Sequence, residues 1–128
     1  MEYHFSKILP LDFRTAVEKV TADLKTQGFG ILTQIDVQQT LKAKLGVDIQ
    51  PYLILGACNP TFAYQALQAE NKIGTMLPCN VIVQQYGDGS VEVSAVDPVA
   101  SMAAVINPKL AQIAQEVRNR LKLVIESL

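Results

Sequence analysis

The chain has 128 residues, 49% hydrophobic and 18% charged, with 11 basic and 12 acidic side chains and a net charge of -1. That length points to one domain over residues 1–128, enough to bury a core without disulfides or metals. The composition excludes a disordered chain, and the charge balance supplies no basic patch for nucleic acid or anionic lipid, so neither is an expected partner.

Two cysteines and one histidine are too few for a four-ligand Cys/His zinc site, and neither a metal nor another cofactor is expected. The opening Met1-Glu2-Tyr3-His4-Phe5 shows no basic segment followed by an apolar stretch. The uncharged stretch over residues 49–69 is interrupted by Gln50, Pro51, Asn59, Pro60, Gln65 and Gln68, so it does not read as a membrane span. These features predict a soluble, cytoplasmic protein with reduced thiols.

Residues 2–8 alternate, with Tyr3 and Phe5 on one side and Glu2, His4 and Ser6 on the other, the pattern of a half-buried strand. Asp12 opens a helix in which Phe13, Ala16, Val17, Val20 and Leu24 recur at helical spacing before Gly28 stops it. Residues 30–37 predict a second strand with Ile31, Thr33, Ile35 and Val37 on one face. A short helical piece or ordered loop over residues 38–45 follows, ended by Gly46. Residues 52–58 are apolar on both faces, which predicts a central strand. Asn59-Pro60 then starts a helix reaching about Glu70, with Asn as the cap and Pro in the first turn. Residues 77–86 and 91–96 flank Gly87-Asp88-Gly89 and predict a hairpin. Asp97-Pro98 ends it, and Asn107-Pro108 begins the longest helix. There Leu110, Ile113, Ala114, Val117, Leu121, Val124 and Leu128 form one stripe, with Arg118, Arg120 and Lys122 on or beside the other face.

This order predicts an α+β two-layer sandwich, a mainly antiparallel sheet with helices on one face. The few charges over residues 49–86 favour a covered second face, most simply covered by another copy in a homodimer.

Several segments carry a family resemblance. Gly28-Phe29-Gly30-Ile31-Leu32-Thr33-Gln34-Ile35-Asp36-Val37 resembles the second-strand motif of the domain of unknown function 302 family, continued by Thr40-Leu41-Lys42-Ala43-Lys44-Leu45. Tyr52-Leu53-Ile54-Leu55-Gly56-Ala57-Cys58-Asn59-Pro60 resembles its central motif, and Leu77-Pro78-Cys79-Asn80-Val81 and Val96-Asp97-Pro98 complete the set in the same order. The resemblance implies a fold grouped with the TATA-binding-protein-like domains and often seen as a dimer. It implies no activity, and the fold grouping does not import DNA binding.

Two Cys-Asn pairs, Cys58-Asn59 and Cys79-Asn80, stand at apparent strand ends beside Pro60 and Pro78. Cys58 precedes a predicted helix N-terminus, which favours thiolate; equally, both cysteines fit as small buried apolar residues. Asn59 has a cap role, whereas Asn80 has no local explanation. Asp36, Lys42, Lys44 and Thr40 gather near the end of the second strand, either as acid–base or anion-binding groups or as a cap with solvated lysines. His4 sits alone on the outer face, which disfavours a Ser-His-Asp mechanism.

Two readings follow. The preferred one is a non-catalytic small-ligand-binding or interaction module, with Asp36, Lys42, Cys58, Asn59, Cys79 and Asn80 as its polar groups. The alternative is a thiol-dependent redox or sulfur-carrier protein using Cys58, resolved by Cys79. Thiol alkylation across pH separates them, and the question left by the two Cys-Asn pairs is whether their strand ends converge.

Overall fold

Chain order is β1 (His4–Leu9), α1 (Phe13–Thr26), β2 (Gly30–Asp36), α2 (Val37–Leu45), β3 (Tyr52–Cys58), α3 (Pro60–Ala69), β4 (Cys79–Gln85), β5 (Val91–Val96), α4 (Pro98–Ser101) and α5 (Pro108–Ser127). A 3-10 turn, Ile73–Met76, precedes β4. These elements come from a computed structural model that describes residues 2–128. The strands form one sheet in the order β1-β5-β4-β3-β2, and every neighbouring pair is antiparallel.

Strand alternation creates the core. Leu55 and Ala57 of β3, Val81 and Val83 of β4, Val91, Val93 and Ala95 of β5, and Leu9 of β1 are buried on one face. Against them lie Ala16, Val20 and Leu24 of α1 and Val117, Leu121, Val124 and Ile125 of α5. Each fully buried Val or Leu contributes about 1.5–3 kcal/mol of transfer free energy. The architecture is thus α+β, with an antiparallel sheet and its helices on one face. Since β1 and β2 occupy opposite edges, α1 must cross the sheet to connect them.

The helix ends follow local chemistry. Asp12 accepts a hydrogen bond from the Thr15 amide at 2.7 Å, and Gly46 closes α2 with φ 68°, where a Cβ would be strained. The Asn107 side-chain oxygen accepts from the Lys109 and Leu110 amides at 3.1 and 3.2 Å. Its amide nitrogen donates 2.8 Å to the Ala69 carbonyl. One side chain therefore ties the start of α5 to the end of α3.

Four details differ from the sequence reading. A register shift lies between Ile31 and Thr33, with Ile31 opposite Ala57 and Thr33 opposite Gly56. This bulge moves Thr33 and Ile35 to the face opposite Ile31, because one extra residue reverses the alternation. Strand β3 is interior, but β4 holds the middle of the sheet. The residues after Asp97 form the short helix α4. Arg118 is not a solvated side chain: its Nε donates to Asp97 Oδ2 at 3.1 Å, and its guanidinium lies 5.1 Å from the Phe5 ring centre. Asp97 also accepts from the Val99 amide at 3.0 Å, so one buried carboxylate both caps α4 and holds it to α5.

Among the glycines, Gly56 is the most closely approached. A Cβ there would lie 2.2 Å from Thr33 Oγ1 and 2.8 Å from Pro78 Cγ. Leu77-Pro78 is a cis peptide, and this corner leads the chain into β4. On the same side of the sheet, Ile54 pairs with both Ile35 and Ile82. This face is only partly covered: Ile35 is 47% and Ile8 is 60% exposed.

Candidate functional site

Antiparallel pairing of β3 with β4 sets the end of one strand beside the start of the other. Ala57 faces Cys79 in the register, so Cys58 and Cys79 come from neighbouring strands one position out of step. The two strand ends do converge. Both thiols are free; Cys79 is buried and Cys58 half-buried.

Both line a cavity of about 330 Å³ bounded by the strand ends, α3, α5 and the residues around Met102. Phe29, Phe62, Leu77, Met102, Leu110, Ile113 and Val117 supply its bulk walls, and Ala63, Ala66 and Ala114 leave the space open between the helices. Leu32 and Leu67 also line it and are 67% and 45% exposed, so the cavity reaches solvent on their side. Its lining contains no charged side chain; the polar members are Asn59 and the two thiols.

Electrostatics at the cysteines run opposite to the expectation from the helix end. Burial pushes the Cys58 thiol above its ordinary value of 9.0. Cys79 is pushed up to about 11, first by burial and then by proximity to Cys58. Desolvation disfavours thiolate and is the leading cause at both thiols. The thiols are neutral, weakly polar wall atoms near neutral pH.

Asn59 holds the N-terminal position of α3, but its side chain makes no capping hydrogen bond. Its Nδ2 instead donates to the Gln27 carbonyl at 3.3 Å and packs so closely under Gly28 that a Cβ there would approach it to 2.8 Å. It therefore joins the α1–β2 corner to the β3–α3 corner. Asn80 pairs with Gly56 in the register, is exposed, and lines a separate cavity of about 260 Å³ with Thr75, Met76, Val96 and Ser101. Cys79 borders both spaces.

Asp36 and Lys42 stand apart from this constellation. Asp36 accepts from the Gln39 amide at 2.9 Å and caps α2, and Lys42 pairs with Asp48 at 3.0 Å on the surface. Neither lines the cavity. Among the described residues no group of three or more His, Cys, Asp or Glu side chains is placed to hold a metal ion. No helix among them is long and apolar enough to cross a membrane.

Sequence reasoning missed the wall formed by Pro98 and Met102, because the residues after Asp97 carried no helical assignment. A signal was present: Asp97-Pro98 has the same cap-then-proline form as Asn59-Pro60 and Asn107-Pro108. It also missed Leu32, which the β2 bulge carries to the cavity rim.

A comparison with curated proteins finds no match. Among solved structures, the crystal structure of an uncharacterized conserved protein DUF302 from Bacillus stearothermophilus is similar, with a TM-score of 0.91 and 28% identity over 98% of each chain. The family described as Domain of unknown function DUF302 matches residues 5–128. With nearly the whole chain matched, and the same fold in that solved relative, this protein belongs to the DUF302 family.

Proposed function

We propose that this chain is a non-catalytic binding module, one domain that takes a small, largely apolar ligand between α3, α5 and the converging ends of β3 and β4. The observation that carries this reading is the 330 Å³ cavity with an apolar lining and a few polar atoms, the composition of small-molecule sites. A ligand with apolar surface removes the cavity walls from water when it binds. Cys58, Cys79 and Asn59 are the polar wall groups in this reading, and Asn80 serves the adjoining smaller space. Asp36 and Lys42 have sufficient structural partners and take no part. The antiparallel sheet under its helices is compatible with the TATA-binding-protein-like grouping.

The dimer belongs to the same proposal. Ile8, Ile35, Ile54 and Ile82 share the sheet face away from α1 and α5, and a second copy laid on that face would cover them. The expected result in sedimentation at micromolar concentration is twice the chain mass. A single-chain mass removes the dimer from the account.

The thiol-dependent reading has the adjacency of Cys58 and Cys79 in its favour and their raised pKa values against it. For Cys79 the neutral thiol is the form that fits. Its contribution to stability is full below its ordinary pKa of 9.0 and is lost as pH rises through about 11. Native Cys79 is therefore expected to alkylate about a hundredfold more slowly at pH 8 than in the unfolded chain, in line with the thiolate fraction. Native labelling of both cysteines at unfolded-chain rates, located by mass spectrometry, would restore the thiol reading.

Binding itself is testable with the neutral fluorophore phenylnaphthylamine. Saturable binding to the wild type is expected, weakened about tenfold or more in Ala66→Phe, whose ring occupies the cavity; tenfold corresponds to about 1.4 kcal/mol. Equal binding by a folded Ala66→Phe protein, or no binding by the wild type, would count against the cavity as the site.

A further inference from the structure

The cavity lining is uncharged, but one cation outside it, Arg120, lies against a ring of the wall. Arg120 follows Val117 by three residues and Ile113 by seven on α5, so it continues the helical stripe that those two cavity residues define. Its guanidinium carbon lies 5.0 Å from the centre of the Phe62 ring, and Phe62 is itself a cavity wall. Arg120 is half-buried, and among the described residues it has no carboxylate partner. Arg118, two residues earlier, differs on that point because Asp97 neutralises it.

This pairing of an apolar chamber with an unneutralised guanidinium is a recognition pattern. Inside the chamber a carboxylate would lose its hydration with only neutral thiols and Asn59 in return, which is strongly unfavourable. Beside Arg120 it would gain a planar, bidentate, charge-assisted contact. Stacking holds the guanidinium beside Phe62 and restricts its rotamers, so less ordering is needed when an anion arrives.

We propose that the ligand is a small amphipathic carboxylate, its hydrocarbon body in the cavity and its carboxylate on Arg120. This rests on the cavity being the binding site and adds the chemical class of its occupant. A volume near the low end of the roughly 300–1,000 Å³ usual for ligand sites suits a short aliphatic or single-ring acid. The cation makes the charge selection, and the chamber selects size.

The test is calorimetric titration with octanoate and with octanol, at neutral pH and low salt. The proteins are the wild type, Arg120→Met, Arg120→Lys and Ala66→Phe. Methionine keeps an apolar side chain against Phe62 while removing the charge. Octanoate is expected to bind Arg120→Met about tenfold or more weakly than wild type, with octanol changed less than about twofold and Arg120→Lys recovering part of the octanoate affinity. Equal losses for the two probes would make Arg120 a packing residue and overturn the proposal. So would no loss for either, and in both cases the cavity would stand if Ala66→Phe abolished binding of both. If Ala66→Phe binds both probes as the wild type does, or the wild type binds neither, the cavity reading fails and this proposal fails with it.

Discussion

The missing side chain at Gly56 is the constraint on which the rest of the structure depends. Thr33 from β2 and Pro78 from the corner before β4 both occupy the space a Cβ would need. This lets β2, β3 and the entry to β4 meet at one point. From that meeting follow the Gly56–Asn80 and Ala57–Cys79 pairs, and from those the juxtaposition of Cys79 with Cys58. Helix α3 leaves directly from Cys58-Asn59, so the same corner sets where α3 stands and how much room remains between it and α5.

Around that corner, polar groups are used as ties. Asn59 spends its amide on the Gln27 carbonyl, Asn107 joins α3 to α5, and Asp97 joins α4 to α5 through Arg118. Among the described residues no buried side-chain nitrogen or oxygen lacks a hydrogen-bond partner, so none of these ties leaves an uncompensated group, whose desolvation would cost about 1–3 kcal/mol. The cavity is bounded by these tied elements, and apart from Asn59 its side-chain lining is carbon and sulfur. That contrast, polar fastening outside an apolar chamber, is what separates a ligand site from a loosely packed core in this account.

Much of the fold was legible because its signals are periodic. The alternation in β1, the turn before β5 and the stripe of α5 each survive into the structure with small shifts at their ends. The bulge at Leu32 was not legible, since it adds one residue without changing composition and inverts the face of everything after it. Asn59 was misread because cap position and cap hydrogen bond are separable: its nitrogen donates to a carbonyl 32 residues earlier, and its oxygen makes no capping bond. Arg118 and Arg120 looked like surface charges on an amphipathic helix. Only tertiary placement shows that one meets Asp97 and the other meets Phe62. Cys58 and Cys79 were legible as a pair, but their chemistry depended on burial, which local sequence does not carry.

The most direct test compares Gly56→Ala with Gly30→Ala, whose added methyl would meet nothing within 4 Å. Urea unfolding and phenylnaphthylamine titration are measured on both. Gly56→Ala is expected to lose about 1–3 kcal/mol through overpacking and to bind the fluorophore more weakly. Gly30→Ala should stay within about 0.5 kcal/mol of wild type with unchanged binding. A Gly56→Ala protein with wild-type stability and wild-type affinity would contradict the claim that this corner sets the cavity.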